Sequence, residues 1–224
     1  MTHKALFFGA IGTLAETSDM QRRAFNAAFD EAGLSWNWGE TEYRELLKTP
    51  GGKRRVRDYA DARSQSVDAD EIHARKVAHF KRIVGEEGLQ PREGVLALID
   101  AAKRGGLKLG FVTSTGQEQI DLILSNLGGI DAADFDYIGE RGKVENSKPA
   151  PDIYQDALQA LSLKAEDALA IEDTPESAEA ALAAGIDCVA FPGGDARGRN
   201  FPEGTIIPDG PLGPELLNQP QAAE

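Results

Sequence analysis

The hydrophobic positions of this chain follow two patterns that change near residue 90. Within residues 19–32 apolar side chains recur every three or four positions, which predicts an amphipathic helix, and residues 67–84 repeat that spacing. Beyond residue 90, short apolar runs of strand length alternate with segments of helical spacing. Because such alternation is typical of parallel sheets flanked by helices, the second pattern predicts an α/β fold.

The predicted elements place one strand before the helical stretch and the others after it. An uncharged apolar run over residues 7–11 predicts the first strand. Further strands are predicted over residues 108–113, 135–138, 168–171 and 188–191, and helices over residues 94–104, 117–127, 151–161 and 175–184. We therefore predict a doubly wound, Rossmann-like parallel sheet as a core domain of residues 1–16 and 91–224. An α-helical cap domain of residues 17–90 is predicted as an insertion after the first strand.

Charge and composition narrow the classes of partner. The formal net charge of −13 argues against a nucleic-acid partner. Residues 17–90 contain 13 basic and 13 acidic residues, so the whole negative excess lies in the predicted core domain. Because the sequence shows no apolar run of membrane-span length and no leader pattern, we expect no membrane partner and a cytoplasmic location. The single cysteine, Cys188, fits a reducing compartment.

The end of the first predicted strand resembles the first motif of a known enzyme family. Open α/β sheets do their chemistry at the carboxyl ends of strands, and here the chain reads Phe-Gly-Ala-Ile-Gly-Thr-Leu over residues 8–14. This segment is similar to the Phe-Asp-x-Asp-Gly-Thr-Leu motif of the haloacid dehalogenase superfamily of phosphotransferases. The resemblance implies that Gly9 stands at the position of the nucleophilic aspartate, and Ile11 at that of the general acid/base aspartate.

Two later segments match the family's motifs in the same order. Thr113 and Ser114 follow a predicted strand, where the family has a hydroxyl that donates a hydrogen bond to the transferring phosphoryl group. Any strand can end in Thr-Ser, so this match alone is weak. Lys148 lies in a segment with spaced prolines and a tyrosine, residues 146–154, which resembles the family's lysine motif. The resemblance implies that Lys148 neutralises charge on the phosphate, whereas a lone lysine is ordinarily a solvated surface group.

The fourth matching segment is an acidic pair, Glu172-Asp173, directly after a predicted strand. The resemblance implies that this pair holds Mg²⁺, an ion that prefers oxygen ligands in octahedral geometry. An alternative is that Asp173 or Thr174 only caps the following helix. Since the family's first aspartate is also a metal ligand, glycine at position 9 implies that Mg²⁺ binding is weak or lost.

A basic segment within the predicted cap narrows the resemblance to one subfamily. The residues Gly51, Gly52, Lys53 and Arg55 are similar to the Gly-Gly-Lys-Glu-Arg segment of CbbY-like and β-phosphoglucomutase-like sugar-phosphate phosphatases. The resemblance implies that they bind a distal part of the substrate, including a second phosphate. The chemistry agrees, because exposed backbone N–H groups and cationic side chains are good phosphate donors. The alternative is that this run of charges is a solvated helix face.

Three hypotheses for function remain open at this point. The first is a non-catalytic or very weak phosphatase homologue that binds a phosphorylated sugar or another small phosphorylated metabolite between cap and core. The second is a Mg²⁺-dependent phosphatase that acts on a small sugar phosphate through a rewired site. The third is a structural or protein-interaction role. The first is favoured because Gln21 also stands where related sugar phosphomutases often carry a histidine, and glutamine cannot shuttle a proton.

Overall fold

A computed structural model describes residues 3–9, 11–49 and 51–218 of the chain. By its internal contacts the chain divides into two units. The first, which we call the sheet unit, comprises Met1–Glu16 and Leu89–Glu224, and the second, the helical unit, comprises Thr17–Gly88. The end of the predicted core domain, beyond residue 218, lies outside the described residues. No helix in the described ranges combines the length and the apolarity that a membrane crossing requires.

The sheet unit contains a parallel sheet, which confirms the predicted fold class. Within the described residues it has five strands in the order β3-β2-β1-β4-β5. These strands are β1 (Ala5–Phe8), β2 (Lys108–Val112), β3 (Tyr137–Gly139), β4 (Ala168–Glu172) and β5 (Asp187–Ala190). All residues of the central strand β1 are buried, which explains why the sequence is apolar there without alternation.

The helices divide between the two units. In chain order they are α1 (Ile11–Leu14), α2 (Ser18–Glu31), α3 (Glu40–Leu47), α4 (Gly52–Asp61), α5 (Ala69–Glu87), α6 (Val95–Arg104), α7 (Gln117–Asn126), α8 (Asp152–Leu161) and α9 (Pro175–Ala183). Helices α2 to α5 belong to the helical unit, and the others belong to the sheet unit.

The predicted first strand was wrong at its carboxyl end. The strand ends at Phe8, and the backbone N–H of Gly9 makes a sheet-like bond to the carbonyl of Ile171 at 3.0 Å. Ile11 then opens the one-turn helix α1, in which its carbonyl accepts the N–H of Ala15 at 2.9 Å. Ile11 is buried in this helix, as it would be in a strand. Hydrophobicity therefore does not distinguish the two conformations over so short a run.

The structure also contains a helix that the sequence pattern did not indicate. Helix α4 begins directly after Gly51, whose φ of 101° is a conformation that glycine adopts readily. The helix is rich in arginine, and its buried apolar residues Val56, Tyr59 and Ala60 form one short stripe at helical spacing. A single stripe after a Pro-Gly-Gly break is a weak signal, and the break outweighed it in the prediction.

Aromatic side chains build the core of the helical unit. The Trp38 ring is fully buried, and its centroid lies 4.6 Å from that of Phe29 and 4.9 Å from that of Phe25. The Asn26 side chain holds the backbone of Trp38 from both sides, since its oxygen accepts the Trp38 N–H at 2.8 Å and its amide donates to the Trp38 carbonyl at 3.0 Å. These bonds satisfy the backbone of a segment that has no helix or strand partner.

Candidate functional site

Three neighbouring strands bring the motif residues of the sheet unit to one edge of the sheet. In the register of β1, β2 and β4, Phe8 lies beside both Phe111 and Ile171. The residues that follow these positions therefore lie at the carboxyl edge of the sheet or just beyond it, where open α/β sheets carry their sites. The first, second and fourth motifs accordingly meet at this edge.

The Glu172 carboxylate is the centre of this arrangement. Its side chain is fully buried, and Oε1 accepts hydrogen bonds from the Lys148 ammonium at 2.5 Å and from the Tyr154 hydroxyl. Helix α8 positions Tyr154, whose buried ring packs on Phe7. Burial and the Glu172 charge raise the pKa of Tyr154 well above its usual value, so its hydroxyl stays protonated and donates a hydrogen bond to the carboxylate.

The Glu172 carboxylate also occupies the space that a side chain at position 9 would need. A Cβ atom placed on Gly9 would lie 1.9 Å from Oε2 of Glu172, far inside van der Waals contact. The absence of a side chain at Gly9 therefore permits the observed orientation of Glu172. By the family resemblance, a carboxylate from the fourth motif now lies where the first motif would supply the nucleophile.

Lys148 is bound by protein groups on two sides. Besides Glu172, its ammonium donates to the carbonyl of Val112 at the end of β2, at 2.8 Å. An ammonium carries three protons, so these two bonds leave one donor for a ligand. The Lys148 side chain is 7% exposed, so it is not a solvated surface lysine.

Asp173 is buried and incompletely bonded. No described residue donates a hydrogen bond to its Oδ1 atom, and Gly12 gives it room, since a Cβ there would lie 2.0 Å from Oδ2. Burial, followed by the neighbouring Glu172 charge, raises the pKa of Asp173 to about 7. The helix cap proposed as an alternative role belongs to Thr174, whose hydroxyl accepts the Ser177 N–H at 3.3 Å.

The hydroxyls of Thr113 and Ser114, the residues of the second motif, differ in their hydrogen bonding. Thr113 is buried, and its hydroxyl oxygen accepts the backbone N–H of Thr115 at 3.2 Å. The Ser114 hydroxyl is buried without a hydrogen-bond partner among the described residues. Helix α7 begins after Gly116 with no side-chain cap, so its first N–H groups also lie near this loop. The Ser114 hydroxyl therefore has no partner among the described residues, whereas the Thr113 hydroxyl accepts one bond and still carries a proton that it can donate.

One residue that the sequence did not suggest, Arg92, connects the loops around Asp173. Its guanidinium donates to the carbonyls of Gly12, Phe191 and Pro192, each at 2.8 Å, and stacks 3.4 Å from the Phe191 ring centroid. The only signal in the sequence is an arginine after proline in a loop, which has no specific meaning. Arg92 therefore connects helix α1, which follows β1, with the loop after β5, and both lie beside the Asp173 carboxylate.

The residues at this edge do not fit the Mg²⁺ site that the resemblance implies. Glu172 is already bonded to Lys148 and Tyr154. Asp173 has a buried carboxylate oxygen without a partner among the described residues, and no group of three or more histidine, cysteine or acidic side chains there could hold a metal ion. Magnesium is ordinarily held by one or two carboxylates together with waters and substrate phosphates, so with Glu172 engaged in protein bonds this edge keeps one motif carboxylate, Asp173, for the ion.

In the helical unit, the predicted phosphate-binding cations have protein partners. Lys53 forms an exposed ion pair with Asp70 at 2.5 Å. Arg55 is buried, and its guanidinium donates to the carbonyls of Leu46 at 3.0 Å and Thr49 at 3.1 Å. Gly51 and Gly52 lie at the start of α4, as described above. Arg55 therefore stabilises the end of α3 through these two bonds.

A second buried lysine, Lys76 of α5, was not suggested by any motif. It is 8% exposed, and its ammonium donates to the side-chain oxygen of Gln21 in α2. Burial, followed by the charge of Arg55, lowers the pKa of Lys76 to about 8. The sequence did not indicate that Lys76 is buried, because a lysine within an amphipathic helix is ordinarily solvated.

Comparison with known proteins agrees with this architecture. Residues 12–191 match the haloacid dehalogenase-like hydrolase family. The chain is 38% identical over 207 residues to protein CbbY of Rhodobacter capsulatus, covering 90% of each chain. It is also similar to the crystal structure of CbbY from Rhodobacter sphaeroides in complex with phosphate, with 36% identity, a TM-score of 0.79 and coverage of 92% and 94% of the two chains. The same scores relate it to a mutant of that CbbY in complex with xylulose-(1,5)bisphosphate.

We expect Lys148→Met to lower the free energy of unfolding by about 3 kcal/mol, because it leaves the buried Glu172 carboxylate without its charged partner. Adding Glu172→Gln should recover most of that loss, since the buried charge is then removed. Urea denaturation of both variants measures the difference. Lys164→Met, which alters an exposed ion pair, is the control and should change stability by less than about 0.5 kcal/mol. A double variant no more stable than Lys148→Met would contradict the pairing.

We expect Lys76→Met to raise the free energy of unfolding by about 2 kcal/mol at pH 7, since it removes a buried charge. A folded-state pKa of about 8 against 10.5 unfolded means that the unfolded chain binds more protons between these values. The wild-type protein therefore gains stability as the pH rises through this window, and its difference from the variant narrows. Urea denaturation at pH 7, 8.5 and 10 measures this, and a variant less stable than wild type at pH 7 would refute it.

Proposed function

Because this chain belongs to the haloacid dehalogenase-like hydrolase family and is a homologue of the sugar-phosphate phosphatase CbbY, we propose that it binds a small phosphorylated metabolite without useful turnover. The observation that carries this proposal is the position of the Glu172 carboxylate, against Gly9 and bonded to Lys148. The proposal has two parts, the loss of catalysis and the retention of phosphate binding. Each part rests on different residues.

The loss of chemistry follows from what positions 9 and 11 can offer. Glycine has no side chain to attack phosphorus, and isoleucine has no group that titrates. The nearest carboxylate, that of Glu172, has no exposed surface and two bonds from neighbouring side chains to the same oxygen. A carboxylate held in this way is poorly placed to reach a substrate phosphorus in line with its leaving group.

Retained phosphate binding is supported by donors that still point to this edge of the sheet unit. The Ser114 hydroxyl has no partner among the described residues, and Lys148 keeps one proton for a ligand. Both types of group donate well to phosphate oxygens. The ligand class we propose is a sugar phosphate or bisphosphate, the class that includes the xylulose-(1,5)bisphosphate in the CbbY complex.

The charge balance of the site supports binding without a metal ion. By the family resemblance, Gly9 and Ile11 replace two aspartates, so the site has two fewer negative charges than its relatives. That difference equals the charge that Mg²⁺ would contribute. Lys148 balances Glu172 directly, and the raised pKa of Asp173, about 7, leaves that residue partly neutral at physiological pH. A phosphate therefore meets no large excess of negative charge here.

A second candidate function is a residual phosphatase that uses Glu172 and Asp173. The observation in its favour is that Glu172 lies beside the nucleophile position and is bonded to the family's lysine. Such an enzyme would have to release Glu172 from both Lys148 and Tyr154 during each cycle. We therefore place it second.

We expect xylulose 1,5-bisphosphate to bind the wild-type protein in calorimetry, with and without EDTA, and to release no phosphate in a coupled assay. Ser114→Ala should weaken binding about tenfold, because a donor to phosphate is lost. Glu172→Gln should strengthen it, because a neighbouring negative charge is removed. The exposed Lys164→Met variant is the control and should bind like wild type.

Two results would contradict the proposal in different ways. Phosphate release that needs Mg²⁺ and disappears in Asp173→Ala would identify the protein as a phosphatase with a rewired site. No binding of any member of a panel of sugar mono- and bisphosphates would favour the structural or protein-interaction role instead.

A further inference from the structure

A cation near the carboxyl edge of the sheet unit has no role in the site described so far. Arg141 is exposed and lies in a single 3₁₀ turn, Arg141–Lys143, that follows β3. It forms no ion pair with a carboxylate of the described residues, although Glu140 and Glu145 lie in the same loop. Other cations of this unit do pair with acidic side chains, namely Lys4, Lys103, Lys108, Lys164 and Arg199. An unpaired guanidinium in so acidic a unit is available to an anionic ligand.

Two hydrogen bonds fix Arg141 beside the proposed phosphate donors. Its backbone N–H donates to the carbonyl of Thr115 at 3.0 Å, and its Nη1 atom donates to the Ser147 hydroxyl at 2.5 Å. Thr115 directly follows Ser114, and Ser147 directly precedes Lys148. Each bond therefore joins Arg141 to the chain neighbour of a residue that we expect to meet phosphate.

The two partners of Arg141 are themselves held in place. The Thr115 N–H donates to the Thr113 hydroxyl at 3.2 Å, so both backbone polar groups of Thr115 are bonded. The Ser147 carbonyl accepts the N–H of Ala150 at 3.1 Å. Because Arg141 is anchored on a bonded frame, it loses less conformational freedom when it meets a ligand, which favours binding.

The guanidinium of Arg141 keeps most of its donors for a ligand. An arginine has five N–H donors, and among the described residues only Ser147 receives one of them. The planar fork matches a phosphate or a carboxylate through two parallel bonds. The Ser114 hydroxyl is buried and Lys148 is nearly so, whereas Arg141 is exposed. A ligand with one phosphate at the two buried donors therefore has its remaining part nearer the surface, where Arg141 lies.

We propose that Arg141 determines specificity in the sheet unit by binding a second oxyanion group, a phosphate or a carboxylate, of the ligand. The inference rests on the proposed function, which places the first phosphate at Ser114 and Lys148. Lys143 of the same turn is less suited, because its ammonium donates to the carbonyl of Ile138 at 2.7 Å and lies 5.3 Å from the Tyr137 ring centroid. The protein should therefore prefer ligands with two anionic groups over ligands with one.

The test compares three probes in calorimetry with the full chain: inorganic phosphate, xylulose 1,5-bisphosphate and 2-phosphoglycolate, whose second group is a carboxylate. Arg141→Met should weaken binding of a probe with a second oxyanion about tenfold or more, because a charge-assisted pair of bonds is lost. It should change the binding of inorganic phosphate by less than about twofold, since that probe does not reach Arg141. A loss confined to the bisphosphate identifies the second group as a phosphate, and a loss confined to 2-phosphoglycolate identifies it as a carboxylate.

Two further variants separate a specific contact from a general effect of charge. Arg141→Lys should recover only part of the loss, because an ammonium keeps the charge but not the fork. Lys143→Met removes a positive charge from the same turn, so it is the matched control and should bind all three probes like wild type. Both positions are exposed, and equal urea midpoints for wild type and the variants show that folding is intact.

The outcomes distinguish this inference from the proposed function. If Arg141→Met binds the probes with two anionic groups as wild type does, or no more weakly than Lys143→Met, the role of Arg141 is refuted and the proposed function stands. If wild type hydrolyses the bisphosphate and Arg141→Met raises its KM about tenfold with little change in kcat, the role of Arg141 stands and the proposed function fails. If none of the probes binds to wild type, both are overturned.

Discussion

The buried ion pair of Lys148 and Glu172 is the interaction on which the site of the sheet unit depends. It forms only because Gly9 has no side chain, since any Cβ there would overlap the Glu172 carboxylate. The pair neutralises two groups that would each be costly to bury alone, and the Tyr154 hydroxyl adds a third contact. The glycine at position 9 and the orientation of Glu172, more than 160 positions later along the chain, therefore depend on each other.

The two units use buried lysines in opposite ways. Lys148 has a carboxylate partner and contributes to the order of the sheet edge, whereas Lys76 has only an amide and ring faces around its charge.

Much of the fold could be predicted from the sequence, and less of the site. The alternating apolar runs indicated the parallel sheet, because buried strands need such runs, and the motif spacing placed the site at the sheet edge. The one-turn helix at Ile11 and the helix α4 were missed, since a few apolar residues beside glycines do not distinguish helix, strand and loop. The orientation of Glu172, the bonds of Arg92 and the burial of Lys76 depend on packing between distant segments, which no local pattern encodes.

The central claim is that the Glu172 carboxylate occupies the space beside Gly9 and that the site therefore binds phosphate without a metal ion. A crystal structure of the protein grown with both Mg²⁺ and phosphate tests it most directly. We expect the Glu172 carboxylate against Gly9 and bonded to Lys148, phosphate near Ser114, and no metal ion at Asp173. A Glu172 side chain turned away from Gly9, with Mg²⁺ bound by Asp173 and coordinated to the phosphate, would contradict the account.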